Sequence, residues 1–263
     1  MAHNSALPVL LKQLKLSTIA AVWEEYLAKS TENNWDPATY LTALCEEELN
    51  QRYIRRIARF QKESKLPVGK TLSSIDFSHI AQIDQGRIEA MSFDPSWVKR
   101  ADNILFFGAS GTGKTHLAAA ICNGLIEQGI RVRYYQATAL VQELQRARDE
   151  LLLEKLLLRL DKFKVILIDD IGYVRKSEAE THVLFELIAH RYETGSMIIT
   201  ANHPFSDWDK IFSDTMMTVA AIDRLVHHGI IMEIQAESFR KKQAMERNSQ
   251  LKVPDDLSTR RVC

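Results

Sequence analysis

At 263 residues, 46% of them hydrophobic and 26% charged, the chain has enough apolar material for a sizeable core, and its composition excludes a disordered or fibrous protein. Lysine plus arginine and aspartate plus glutamate number 34 each, so a surface for nucleic acid must come from local clustering and not from overall charge. Cys45, Cys122 and Cys263 are far apart and lack metal-ligand spacing, which argues against a disulfide framework or a zinc module and for reduced thiols. The apolar run over residues 7–11 is too short for a signal peptide or membrane span, so a cytoplasmic location without membrane contact is expected.

Taken in order, Ser17 is placed to cap a helix whose apolar stripe is Ile19, Val22, Trp23, Tyr26 and Leu27. Residues 30–34 break that pattern. Asp36-Pro37 then restarts a helix expected to run to about Lys65, with a capping aspartate and a proline at the first helical position. Its early turns carry Glu46, Glu47 and Glu48, and its later turns Arg52, Arg55, Arg56, Arg59 and Lys62. Acid before base complements the helix dipole, and the same arginines are equally candidates for DNA phosphate contacts. Leu66-Pro67-Val68-Gly69-Lys70 reads as a linker, dividing a helical domain over residues 1–66 from a nucleotide-binding domain over 67–263. A helix is expected over residues 79–91 and a short one after Asp94-Pro95, a lead-in suited to covering a nucleotide base.

From there strands and helices alternate. Strands are expected at 104–107, 131–136, 165–168, 197–201 and 230–234, with helices at 114–128, helical material to 161, a helix opened by Ser177-Glu178-Ala179-Glu180 as a capping box, and a helix at 215–227. This is the α/β pattern of a parallel sheet flanked by helices. Gly108, Ala109, Ser110, Gly111, Thr112, Gly113, Lys114 and Thr115, followed by His116, fit G-x-x-x-x-G-K-[ST] between a strand and a helix. In that context the loop N–H groups and the helix N-terminus cradle phosphates, Lys114 reaches their outer oxygens and Thr115 holds Mg²⁺. A nucleotide polyphosphate and Mg²⁺ are therefore the expected ligands.

Val165-Ile166-Leu167-Ile168-Asp169-Asp170 ends a buried-type strand in two acids at the ligand edge of the sheet, Asp169 for Mg²⁺ and Asp170 to orient and deprotonate water. The strand ending in Thr200 and Asn202 offers either residue to the γ-phosphate or the water, and Asn202 is preferred. Arg224 sits where a helix can present it to a neighbouring molecule's site. Two further basic stretches are Arg146, Arg148, Lys155 and Arg159, and Arg240, Lys241, Lys242 and Arg247; charge runs of this kind are more often solvated faces. Leu151 to Leu160 reads as core or helix packing, and His227-His228 is left unassigned.

GASGTGKTH at 108–116, IDDIGY at 168–173, TANHPFSDW at 200–208 and AIDRLVHH at 221–228, with LLKQLKLSTIAAVWEEY and EEELNQRYIRRI near the amino terminus, are similar to the IstB-type transposition helper ATPases, AAA+ relatives of the DnaC helicase loaders. The resemblance implies strand order 5-1-4-3-2 and ATP hydrolysis to ADP and phosphate. It also implies assembly into a ring or helical oligomer on duplex DNA, remodelling of that DNA, and recruitment of a cognate transposase. It makes Lys114 and Thr115 Walker A, Asp169 and Asp170 Walker B, Asn202 sensor 1 and Arg224 an arginine finger acting in trans. The helical length from Ala137 to Asp161 resembles the DNA-touching insertion of the initiator clade. Asp170 stands where many AAA+ members have Glu, and only 28 residues follow position 235, which implies a short basic tail, no separate lid and at most Arg240 in place of sensor 2. A DnaC-like replicative helicase loader is the alternative function.

Overall fold

The structure is a computed structural model that describes residues 6–80, 82–172, 177–210 and 214–236, together with 238, 239, 241 and 245. Arg240, Lys242, Arg247 and Cys263 lie outside the described residues. The chain divides between Lys62 and Glu63 into two compact units, slightly ahead of the expected linker.

The first unit is helical, built from α1 (Leu7–Gln13), α2 (Ser17–Glu32) and most of α3 (Pro37–Ser64). Leu11, Ile19, Trp23 and Leu44 form its buried centre, and the Tyr40 hydroxyl donates to the Trp23 carbonyl at 3.1 Å. Asp36 caps α3 as its sequence suggests, accepting the Thr39 N–H at 2.8 Å. Ser17 does not cap α2. It is the first residue of that helix, and the orphan N–H groups of Thr18 and Ile19 are received by Glu48 Oε2 at 2.7 and 3.1 Å. The cap therefore comes from thirty residues away on α3, where a search for local capping residues does not look. Residues 30–32 continue α2 instead of breaking it, with the Thr31 hydroxyl bonded back to the Leu27 carbonyl.

The second unit begins with 3₁₀ turns at Leu72–Ser74 and Phe77–Ile80, then α4 (Gln85–Phe93) and α5 (Ser96–Lys99). The single helix expected over residues 79–91 is thus a 3₁₀ turn and a separate helix. Asp84, whose carboxylate accepts the Gly86 N–H at 2.9 Å, restarts the chain between them. The alternating core follows: β1 (Asn103–Gly108), α6 (Lys114–Glu127), β2 (Val132–Gln136), α7 (Ala137–Asp149), α8 (Leu153–Leu160) and β3 (Val165–Asp169). It ends with α9 (Glu178–Arg191), β4 (Ser196–Ala201), α10 (Thr215–His227) and β5 (Gly229–Ile234). All pairings are parallel, and the order is β5-β1-β4-β3-β2.

Alternate residues of the central strands divide between two layers. Leu105, Phe107, Ile166, Ile168, Met197 and Ile199 pack with α7 to α10, whereas α6 covers the other face, backed by α4. The capping box on α9 is present in both directions, Ser177 with Glu180. Helical material from 137 to 161 is not continuous: the chain breaks between α7 and α8, with Leu151 in the left-handed region at φ 57°. The leucine run is correspondingly mixed. Leu156, Leu157 and Leu160 are core, but Leu151 and Leu158 are 92% and 58% exposed.

Glu48 is nearly buried, and burial alone would raise its pKa. The bonds from Ile19, from Arg52 Nε at 2.8 Å and from Thr18 outweigh burial and hold the carboxyl below its usual range. A group depressed in the folded state stabilises above its unfolded pKa and loses that contribution as pH falls through the folded value. Urea unfolding of the α-helical signal should show Glu48→Ala destabilising the first unit by about 1–2 kcal/mol at neutral pH, and Glu48→Gln flattening the loss of stability below roughly pH 4.3.

Candidate nucleotide site

The C-terminal edge of the sheet gathers the site. β4 lies between β1 and β3, with Phe107 opposite Ala201 and Ile168 opposite Ile199, so the loop after β1, the polar end of β4 and the acids after β3 emerge side by side. Gly108 begins the loop at φ 148°, where a Cβ would run into the Ile234 carbonyl of β5, so only glycine passes between the strands. Gly113, in the left-handed region at φ 99° with open space around it, turns the chain into α6. Between them the Thr112 hydroxyl donates to the Ala109 carbonyl at 2.9 Å, closing the loop on itself, and Ala109 and Ser110 are exposed.

Lys114 is 5% exposed, and its ammonium donates to the carbonyls of Gly108 (2.8 Å) and Ala109 (2.7 Å) and to Asn202 Oδ1 (2.8 Å). The same Asn202 donates through Nδ2 to Asp170 Oδ1 at 2.6 Å. One amide therefore spans the lysine of β1's loop and the second acid. Thr115 donates to Asp169 Oδ1 at 2.8 Å, bringing the two expected Mg²⁺ ligands together. A buried ammonium inside a glycine cradle at the start of a fourteen-residue helix suits a polyphosphate. A hydroxyl and a carboxylate side by side suit a small hard cation such as Mg²⁺.

Two participants escaped the sequence reading. Thr200, set aside there in favour of Asn202, donates to Asp169 Oδ1 at 2.6 Å and accepts the Asp170 N–H at 2.8 Å. It holds both acids at once, and it fixes Asp170 in the left-handed region at φ 64°, a conformation that costs a non-glycine residue energy. Tyr134 on β2 donates to Asp169 Oδ2 at 3.1 Å; burial, then the charge on Asp169, raise its pKa, so the phenol stays a donor. Nothing in the β2 sequence marks Tyr134, because its partner lies 35 residues on.

His116 turns away from the loop: Nε2 lies 2.8 Å from the Ser74 hydroxyl and 3.3 Å from the Thr71 carbonyl, and burial followed by the Lys70 charge lowers its pKa. It lines a cavity of about 470 Å³ beside the loop, with Lys70, Ile75, His79 and Phe239 among the walls. His79 and Phe239 are ring neighbours at 5.8 Å, and the Phe239 N–H donates to the Gly111 carbonyl at 3.0 Å. Residues ahead of β1 and Phe239 after β5 thus line this pocket together, next to the phosphate loop.

Residues 9–247 match the IstB-like ATP-binding proteins. The chain belongs to this family. It is 46% identical over 248 residues to an insertion sequence ATP-binding protein of Sinorhizobium fredii, covering 93% of this chain and 83% of that one. It is 36% identical to the IS5376 ATP-binding protein of Geobacillus stearothermophilus over 88% of this chain and 92% of that one. The IS21 ATP-binding protein of Pseudomonas aeruginosa is 32% identical over 90% and 89%. Among solved structures, the DnaC helicase loader superposes with a TM-score of 0.54 at 22% identity, covering 64% of this chain and 98% of that one. AMPPCP-bound DnaA from Aquifex aeolicus also gives 0.54, at 20% identity over 73% and 59%. These likenesses establish the AAA+ fold, and the IstB-like protein is an ATP-binding ATPase of that fold. No described helix is long and apolar enough to cross a membrane.

The remaining expected site residues lie elsewhere. Arg224 on α10 donates to the Ala220 carbonyl at 3.0 Å and stacks 5.2 Å from the Phe185 ring. Arg146 lines a groove of about 800 Å³ with Lys155, Arg159 and Lys162, but Arg148 faces α9, with Nη1 2.8 Å from His182 Nδ1. That basic stretch is split between two faces. Arg52 and Arg55 bond to the α1–α2 turn, Arg52 to the Lys15 carbonyl at 2.7 Å and Arg55 to the Thr18 hydroxyl at 2.9 Å; Arg56 and Arg59 lie over Tyr53 and Phe60 of their own helix.

Thr200→Val keeps the shape of the β4 end and removes the hydroxyl that holds both acids. It should leave nucleotide binding near normal, while turnover, or the Mg²⁺ affinity read from a metal titration of activity, falls about 10–100-fold.

Proposed function

We propose that this IstB-like protein assembles on duplex DNA in the presence of ATP, remodels it, and recruits and stimulates a transposase. The observation that carries the reading is the position of Arg224. It lies just before Gly229, which pairs with Asn103 at the N-terminal edge of the sheet, while Gly108 and the phosphate loop lie at the other end of β1. By strand rise the two edges are separated by roughly 16 Å, and the Arg224 guanidinium is engaged with the Ala220 carbonyl and the Phe185 ring of α9, which supports a role toward a neighbouring molecule. A second copy would bring its Arg224 to the Lys114–Asp170 edge, so hydrolysis would depend on assembly. The relatives named as insertion sequence ATP-binding proteins support a role in transposition.

ATP supplies the phosphoryl group, and Mg²⁺, which Thr115 and Asp169 would hold, would spread the charge of its oxygens. Lys114 neutralises the outer phosphate, and Asp170 orients the attacking water and accepts its proton. Asn202 keeps Asp170 and Lys114 in register. Lys114→Ala should abolish nucleotide binding or hydrolysis, whereas Asp170→Asn should bind ATP, fail to hydrolyse it and accumulate assembled protein.

For DNA, the helical segment over residues 1–66 contributes binding and assembly through Arg52, Arg55, Arg56 and Arg59; the groove between α7 and α8 contributes Arg146 and Lys155. On a neutral chain each protomer supplies few phosphate contacts, so affinity accumulates along the assembly and falls steeply with salt. Binding isotherms on duplex and single-stranded DNA at two salt concentrations check this: ATP-dependent, sequence-tolerant, salt-sensitive duplex binding is expected, and a preference for single strands would favour a helicase loader. The trans role is tested by mixing. Arg224→Ala should retain ATP binding and lose ~10³-fold or more of turnover, and adding Asp170→Asn protein should restore part of it. No recovery in demonstrably mixed assemblies would place Arg224 in cis or in a structural role.

A further inference from the structure

Among the described residues, one set of metal-ligating side chains lies apart from the nucleotide site: Glu193, His227 and His228, with one ligand atom from each within 4.8 Å of the others. We propose that these residues form a site for a single transition-metal ion, with Zn²⁺ the best-fitting ion. Two imidazoles and one carboxylate are a borderline donor set that suits Zn²⁺, whereas Mg²⁺ and Ca²⁺ call for all-oxygen shells. Ligand atoms around a tetrahedral zinc with bonds of roughly 2.0 Å sit roughly 3.3 Å apart, so the three groups need only modest side-chain rotation to close on an ion.

Both arms of the site are held by backbone. His227 ends α10 and His228 is its C-cap, with the His228 carbonyl accepting the Asn103 N–H of β1 at 2.8 Å. Glu193 sits on the turn between α9 and β4 in the left-handed region at φ 59°. That turn is tied down by the Thr194 and Gly195 N–H groups, both donating to the Arg191 carbonyl at 3.1 Å, and by the Thr194 hydroxyl on the His190 carbonyl. The imidazole centroids are 4.2 Å apart, and His228 Nε2 is 3.8 Å from Glu193 Oε1. The Tyr192 hydroxyl lies 2.7 Å from His227 Nδ1, which leaves Nε2 as that ring's ligand nitrogen and supplies the outer hydrogen bond that metal-bound imidazoles ordinarily have.

A metal here would tie the α9–β4 turn to the end of α10, one helical turn from Arg224 and on the same helix face, since 224 precedes 227 and 228 by three and four residues. Occupancy would thereby steady the element that carries Arg224. That consequence rests on the trans reading of Arg224; the metal site does not.

The test uses full-length protein freed of metal by a chelator, without nucleotide or DNA, titrated with Zn²⁺ by calorimetry and with Co²⁺ by visible absorption. One equivalent should bind, with tetrahedral Co²⁺ bands and a rise in melting temperature. His228→Ala and Glu193→Gln should each weaken binding by about tenfold or more and abolish the thermal shift. Cys45→Ser, which removes an exposed thiol, should leave binding unchanged, as should Arg224→Ala, so failure of the trans reading cannot be mistaken for failure of the metal site. Absence of stoichiometric binding to the parent would overturn the proposal, and so would parent-like affinity in the well-folded Glu193→Gln protein, which would leave only a His228–Glu193 ion pair.

Discussion

Everything at the nucleotide edge depends on β4 running between β1 and β3. A loop lysine on one strand and two acids on another would normally be too far apart to sense each other, but the strand between them ends in Thr200 and Asn202, whose short side chains reach both ways. Thr200 bonds to Asp169 and Asp170, and Asn202 bonds to Asp170 and Lys114. Parallel pairing requires every one of these strands to end at the same edge, so the sheet order 5-1-4-3-2 and the wiring of the site are one constraint. The cost is local: Asp170 is held at positive φ, and Lys114 is buried against carbonyl oxygens.

What the sequence discloses follows the range of the interactions involved. The phosphate loop, the continuous apolar strand before Asp169 and the capping box at Ser177 are each written within a few consecutive residues, and each appears in the structure where it was expected. Interactions that close over long separations leave no such trace. Ser17 has the right chemistry for a cap but lies one residue inside the helix, and Glu48 takes the N–H groups because α3 packs a carboxylate against the start of α2. Tyr134 looks like any half-buried strand residue until the Asp169 carboxylate is placed beside it. The break between α7 and α8 is hidden for a different reason: leucine at 151 has high helix propensity, yet it adopts the left-handed conformation that ends α7, with the Leu152 N–H returning to the Ala147 carbonyl at 2.7 Å.

Charge shows the same division between composition and placement. Zero net charge says nothing about where cations sit, and even a run of arginines on one helix is not uniform. Arg52 and Arg55 are engaged with Glu48 and the α1–α2 turn, so removing them would disturb helix capping as well as any contact with phosphates. Weaker DNA binding after their substitution would not by itself identify a DNA contact. Arg56, which lies over the Tyr53 ring of its own helix, separates the two effects more cleanly.

The sheet has two ends with different chemistry. Its C-terminal edge carries phosphate-binding backbone, a hydroxyl and carboxylates, a hard-ligand environment with every group tied to another strand. The N-terminal edge, where α10 turns into β5, carries the imidazoles of His227 and His228, with Tyr192 beside His227 and Arg224 one turn earlier on the same helix. A parallel sheet sets these edges apart by roughly the length of its strands, with Gly229 opposite Asn103 at one end of β1 and Gly108 at the other. On the trans reading proposed for Arg224, contact between two chains would join the cation of one to the acids of the other, and the ATPase chemistry would then report on assembly.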